Sequence, residues 1–245
     1  MRDSAPDIRL ERAGVAFDGQ TLFRGLDLVL EGGRWTCLLG PSGVGKSTLL
    51  RLVADLVPGA PDGRVTAGDG GPVAGRVAFM AQQDLLLPWL DARGNVLLGQ
   101  RLRGEKPDTA RAETLLADLG LAQATQLRPA AMSGGMRQRV ALARTLMEDR
   151  PIVLMDEPFA AVDAVTRLRL QALAAERLAG RTVLLVTHDP LEALRLGHVV
   201  HVMTGRPARL SDPIRPPGTP LRPVDDPALL ALQGELLRRL AEDAE

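Results

Sequence analysis

The sequence predicts an α/β fold in which a parallel sheet is joined to an N-terminal antiparallel β layer and an inserted helical subdomain. Three observations predict it. The buried-strand pattern Trp35-Thr36-Cys37-Leu38-Leu39 runs into a glycine-rich loop and then a helical pattern. Two more apolar strands, at 152–155 and 182–187, alternate with helical stretches, and the chain from about 85 to 126 reads mainly as helices. Apolar strands alternating with helices are the pattern of parallel strands joined by helical crossovers.

The elements follow in order. Residues 8–30 hold short alternating apolar runs, Val15-Ala16-Phe17 and Leu26-Asp27-Leu28-Val29-Leu30, separated by Asp18-Gly19 and Arg24-Gly25, which suits antiparallel strands. After the strand ending at Leu39 comes the loop from Gly40 and a helix over 46–56. Residues 58–75, rich in Gly, Pro and Asp, read as turns before a strand at 76–80. Within the helical stretch, 110–119 is the clearest helix. A helix over 136–147 leads to the strand 152–155, and a helix over 165–178 leads to the strand 182–187. The proline-rich segment 206–227 is expected to run over the surface, ending in a helix over 228–241 started by Asp226 and Pro227.

Composition bounds the function. With 245 residues, 45% hydrophobic and 24% charged, the chain suits one substantial core plus a smaller lobe. Thirty cationic residues balance thirty acidic ones, so no global field exists to hold a nucleic acid, and none is expected as a partner. No apolar run approaches the roughly 18 residues of a membrane span, and residues 1–7 carry no apolar signal region, so the expected location is the cytosol. The single cysteine, Cys37, lies in an apolar run and reads as a core residue.

Gly40-Pro41-Ser42-Gly43-Val44-Gly45-Lys46-Ser47 has the phosphate-loop pattern at every fixed position, with Thr48 continuing the helix. Backbone N–H groups at the helix start suit the β-phosphate of ATP, Lys46 the β and γ oxygens, and the Ser47 hydroxyl Mg²⁺. The chain writes Lys here although 28 of its 30 cations are Arg, which fits a position needing a compact ammonium. The fold class is therefore a phosphate-loop NTPase of the RecA-like type. Asp156 and Glu157 follow the apolar strand 152–155, which delivers both carboxylates to the C-terminal edge of the sheet. Asp156 is expected in the Mg²⁺ shell and Glu157 as the general base for the attacking water.

Ser133-Gly134-Gly135-Met136-Arg137-Gln138-Arg139 supplies a second run of small-residue backbone donors, too far along the chain to belong obviously to the first cradle. Two separate half-sites imply a dimer. The ordered motifs resemble those of ATP-binding-cassette (ABC) transporter nucleotide-binding subunits, a resemblance covering about 8–209. It implies that Phe17 stacks on adenine, that Gln82, counted back from Pro88-Trp89 with Gln83 as the neighbouring alternative, touches Mg²⁺ and the attacking water, and that Ser133, Gly134 and Gly135 reach the γ-phosphate held by the opposite protomer. It also implies that Ala160-Ala161-Val162-Asp163 crosses the dimer interface and that His188 contacts the γ-phosphate. His198 and His201 match no motif and read as surface or packing residues.

Leu85-Leu86-Leu87-Pro88-Trp89 resembles the importer branch serving nitrate, sulfonates, taurine and thiamine-pyrimidine precursors, and points to a permease-facing groove; a core turn holding an indole is the other reading. The resemblance implies a head-to-tail dimer of this chain, transmembrane permease subunits, an extracytoplasmic solute-binding protein and a peripheral position on the cytoplasmic face of the inner membrane. A single ABC ATPase domain spans 1–245, with a nucleotide-binding core at 8–84 and 150–205, a helical signature subdomain at 85–149, and a tail at 206–245. An exporter ATPase and a soluble cassette ATPase acting on ribosomes or DNA remain alternatives, as does a phosphate-loop kinase, which the signature and His188 do not favour.

Overall fold

The computed structural model describes residues 5–59 and 62–242. Two compact units divide the chain: one holds 1–77, 151–156 and 179–245, the other 78–150 and 157–178.

In the first unit, β1 (Ile8–Phe17), β2 (Gln20–Leu30) and β4 (Asp62–Ala67) form an antiparallel sheet in the order β2-β1-β4. Asp18 (φ 49°) and Gly19 (φ 79°) are the two left-handed residues that close the β1–β2 hairpin, pairing Phe17 with Gln20. β4 lies where the Gly- and Asp-rich composition of 58–75 suggests only turns. Pairing of Ile8 with Ala67 through Glu11 with Arg64 makes it a strand, and its largely exposed side chains explain why no apolar alternation announced it.

The second sheet of this unit orders β6 (Ile152–Asp156), β7 (Thr182–Val186), β3 (Trp35–Leu39), β8 (Val199–Thr204) and β9 (Arg209–Leu210), and β5 (Val77–Met80) is the strand at which the chain passes into the second unit. β6, β7, β3 and β8 are parallel, and β9 pairs with β8 antiparallel. All residues of β3, β6 and β7 are buried, as continuous apolar runs in a covered parallel sheet require. α1 (Lys46–Val53) packs against β6 and β7. It stops short of the expected 56 because Asp55 adopts a left-handed φ of 58°. α7 (Pro190–Leu196), capped by Asp189 with Pro190 in its first turn, joins β7 to β8.

The proline-rich tail is fastened by one buried cation. Arg222 donates to the carbonyl oxygens of Pro216 (2.9 Å), Pro217 (2.6 Å) and Gly218 (2.9 Å) in the tail, and to Leu194 (2.9 Å) and Gly197 (2.9 Å) at the end of α7. A guanidinium carries five N–H donors in a fixed fork, so it can satisfy several carbonyls that converge where a helix ends. α8 (Pro227–Glu242) follows and packs on α7, and its Leu229 and Leu236 are buried.

His198 and His201 are packing residues. His198 Nδ1 accepts the Trp35 backbone N–H at 3.0 Å, which requires an unprotonated Nδ1. Burial, with Arg34 and Arg222 nearby, lowers its pKa from the ordinary 6.5, and burial lowers that of His201 as well. For a histidine held below its unfolded value, a falling pH protonates the unfolded chain first, so stability present above about 6.5 is lost below it. The urea midpoint is therefore expected to fall between pH 7.5 and 5.5, and to fall less in His198→Asn, whose amide oxygen can still accept the Trp35 N–H. An equally steep fall in the variant refutes the assignment.

The second unit is mainly helical: α2 (Ala92–Val96), α3 (Leu98–Leu102), α4 (Thr109–Asp118), α5 (Gly134–Met147) and α6 (Ala164–Arg177), with two short 3₁₀ turns before α5. α5 packs against α2 and α4. It begins two residues earlier than its apolar pattern suggests because the Ser133 hydroxyl accepts the Met136 N–H at 3.2 Å, a side-chain cap that allows glycines in the first turn.

Candidate functional site

The first unit gathers the phosphate loop, Asp156 and His188 at one edge of the parallel sheet. β6, β7 and β3 are neighbours, with Asp156 level with Val186 and Val186 level with Leu38. Their C-terminal ends therefore deliver Asp156, the Thr187-His188 turn and the loop from Gly40 to a common rim, where open α/β sheets bind ligands. Thr187 continues the register, its N–H donating to the Leu38 carbonyl at 3.1 Å. Its hydroxyl accepts the Asp189 N–H, and Asp189 caps α7, so the exposed His188 sits in a turn pinned on both sides.

The loop can form only with glycine at its tightest points. A Cβ on Gly40 (φ 153°) would come 2.2 Å from the Met203 carbonyl oxygen, and one on Gly45 (φ 114°) would come 3.0 Å from the Leu22 side chain. Gly45 is the N-cap of α1, and no side chain caps this helix. First-turn N–H groups without a side-chain cap, at the positive end of a helix dipole, form an anion site. Lys46, 6% exposed, curls back so that Nζ donates to the carbonyls of Gly40 and Pro41, each at 2.8 Å. The cradle thus presents backbone donors and an ammonium, which fits a polyphosphate. Ser47 in the same first turn and the buried Asp156 are the hydroxyl and carboxylate that fit Mg²⁺. Phe17, 45% exposed, stands at the tip of the β1–β2 hairpin with its ring open to stacking.

The second unit holds Gln82, Ser133, Gly134, Gly135, Glu157 and the 160–163 loop. A hollow of about 550 Å³ is lined by Gln82, Gln83, Gly134, Gln138, Glu157 and Ala161, among others, so the glutamine segment, the start of α5 and Glu157 share one cavity wall. Glu157 has a φ of 49°, a left-handed conformation that costs a non-glycine residue about 1–3 kcal/mol and persists only where its surroundings impose it. A Cβ on Gly135 would stand 3.0 Å from the Ala161 carbonyl oxygen, which accounts for the small residue where α5 meets the loop. Asp163 caps α6 through the Thr166 N–H, and hydrogen bonds with Thr166 hold its carboxyl below the usual carboxylate range.

Several organising residues were not foreseen. The Gln138 side-chain amide donates to the Glu157 carbonyl at 2.8 Å and its oxygen accepts the Ala161 N–H at 2.7 Å. Arg137 pairs with Asp84 at 3.0 Å, and Arg144 donates to the Asp84 and Leu85 carbonyls. The buried Asn95 accepts the Leu87 N–H and donates to the carbonyls of Leu87, Leu90 and Asp91. Only Arg137 and Gln138 carried a signal in sequence, by lying inside the signature run. Asn95 and Arg144 stand on helices at positions no periodicity distinguishes. Trp89 is 65% exposed, so its indole is not in a core turn. It borders a hollow of about 540 Å³ shared with Asp91, Arg93, Arg101, Gln126 and Arg128.

A phosphate loop on a parallel sheet, with a carboxylate ending the strand next but one to the strand that leads into the loop, defines a phosphate-loop NTPase. Residues 23–160 match the family model described as ABC transporter. A Haemophilus influenzae protein named "Uncharacterized ABC transporter ATP-binding protein" is 43% identical over 239 residues, covering 95% of this chain and 98% of that one. A Pseudomonas syringae pv. syringae protein named "Aliphatic sulfonates import ATP-binding protein SsuB 1" is 43% identical over 247 residues, covering 99% and 98%. The solved "Dimeric Structure of MJ0796, a Bacterial ABC Transporter Cassette" superposes with a TM-score of 0.75 at 28% identity, over 86% of this chain and 99% of that one. The chain belongs to the ABC transporter family as an ATP-binding, ATP-hydrolysing subunit, with ATP and Mg²⁺ as its ligands. Among the described residues no helix is long and apolar enough to cross a membrane.

Proposed function

We propose that this chain powers import of an aliphatic sulfonate, working as a head-to-tail homodimer peripheral to the cytoplasmic face of the inner membrane. The observation that carries the solute is the end-to-end similarity to a protein named for aliphatic sulfonate import. The dimeric MJ0796 relative supports the pairing, as does the presence of two separate donor sets, the phosphate loop and the N-terminus of α5. Exposed Trp89 and the hollow beside it suit a segment of a permease subunit, which an extracytoplasmic binding protein supplies with solute.

In this reading the first-turn N–H groups of α1 and Lys46 hold the phosphates, with Gly40, Pro41, Ser42, Gly43, Gly45 and Thr48 shaping the cradle, and Phe17 stacks on adenine. Ser47 and Asp156 would hold Mg²⁺, for which Gln82 would be a further ligand, and the ion would supply positive charge to the phosphate oxygens. Glu157 takes the proton of the attacking water, and His188 holds that water against the terminal phosphate. Ser133, Gly134 and Gly135 of the twin chain supply the remaining donors. Catalysis is positioning and electrostatics, and loss of the terminal phosphate removes contacts that hold the two chains together.

The solute is tested by growth of the source organism with an alkanesulfonate as sole sulfur source. Deleting this chain is expected to abolish growth, the wild-type copy to restore it and a Glu157→Gln copy to fail. Unimpaired growth of the deletion strain, with nitrate uptake lost instead, overturns the solute.

A further inference from the structure

We propose that Gln138 is a positioning residue for Glu157, an inference that rests on the role given to Glu157 above. Gln138 lies on α5, one turn beyond Ser133, Gly134 and Gly135, and is 8% exposed. Its two amide atoms are spent on backbone: Nε2 donates to the Glu157 carbonyl at 2.8 Å and Oε1 accepts the Ala161 N–H at 2.7 Å. The two anchored groups bracket the sharp turn between β6 and α6, whose first residue is Glu157 with its left-handed φ of 49°. A strained carboxylate-bearing residue needs a fixed partner to stay strained, and a short two-ended amide strut is such a partner.

The strut also joins the helix that begins with the signature glycines to the turn that carries Glu157. Gly135, about one turn before Gln138, lies so close to the same turn that a Cβ on it would stand 3.0 Å from the Ala161 carbonyl oxygen, so α5 approaches the turn at a second point. Engagement of the α5 N-terminus is thereby passed to the backbone of Glu157 in the same chain.

Two variants of the full-length protein test this by steady-state ATP hydrolysis. Gln138→Glu keeps the volume and the acceptor for the Ala161 N–H but sets a carboxylate oxygen against the Glu157 carbonyl. Gln138→Leu removes both bonds. Each is expected to lower kcat at least tenfold with KM for ATP changed less than twofold. Measured as slow single turnovers with enzyme in excess, the same substitutions are expected to cost less than twofold in a Glu157→Gln background, because a residue acting through the carboxylate has nothing left to position. Should Gln138→Leu fail to fold, Gln138→Glu alone decides.

A kcat within twofold of wild type in Gln138→Glu, while Glu157→Gln is inactive, overturns the positioning role alone. A tenfold loss that recurs undiminished in the Glu157→Gln background assigns Gln138 to general packing and overturns it too. Full turnover in Glu157→Gln removes the base assignment and this inference with it.

Discussion

Glu157→Gln is expected to lower ATP turnover by about 10²–10⁴-fold, the usual contribution of a positioned general base, while leaving nucleotide binding within a few-fold of wild type. The substitution exchanges one carboxylate oxygen for an amide nitrogen at constant volume. The backbone of residue 157 keeps its bond from Gln138 and its left-handed φ, since neither depends on the side-chain charge. The phosphate loop belongs to a different stretch of chain, with Lys46 held by its own loop carbonyls, so the cradle is unaffected. Binding without turnover has a second consequence. If the nucleotide holds two chains together and hydrolysis releases them, the variant accumulates as an ATP-loaded dimer. Single-turnover hydrolysis, equilibrium nucleotide binding and size exclusion with ATP check the three parts. Undiminished turnover places the base elsewhere.

What the sequence disclosed depended on whether a residue's job is written in its local pattern. The strand at 35–39 was legible to the residue because a strand buried on both faces is uniformly apolar. The phosphate loop was legible because glycine is needed at fixed steps, and the close approach to Met203 shows why at Gly40. β4 was not legible, being an exposed strand defined by its pairing with β1 rather than by its own composition. α7 and β8 escaped notice although they connect and complete the parallel sheet. Long-range polar contacts were hidden altogether: nothing near Arg222 marks it as the cation that fastens the tail, because its partners are carbonyl groups, which every residue has. The same holds for Asn95 and for the bonds of Gln138, where motif membership gave a position but not a partner.

Lys46→Ala is expected to weaken ATP binding ten- to 150-fold, since a charge-assisted hydrogen bond contributes about 1.5–3 kcal/mol. The side chain is buried and its ammonium is bonded to Gly40 and Pro41, so removal deletes both the charge facing the phosphates and the clasp that draws the loop closed. Lys46→Arg should not restore binding, because the planar guanidinium is larger than an ammonium and the loop leaves no slack around Gly40 and Gly45. Thermal unfolding with added ATP gives a direct reading. At a concentration about 100 times the wild-type Kd, ligand stabilises the wild-type protein by about 2.7 kcal/mol. At that concentration, with affinity reduced about 100-fold, the variant gains only about 0.4 kcal/mol. The expected result is a clear upward shift in Tm for the wild type and almost none for either variant. An equal shift in all three shows that ATP is held without Lys46 and removes the phosphate-loop assignment.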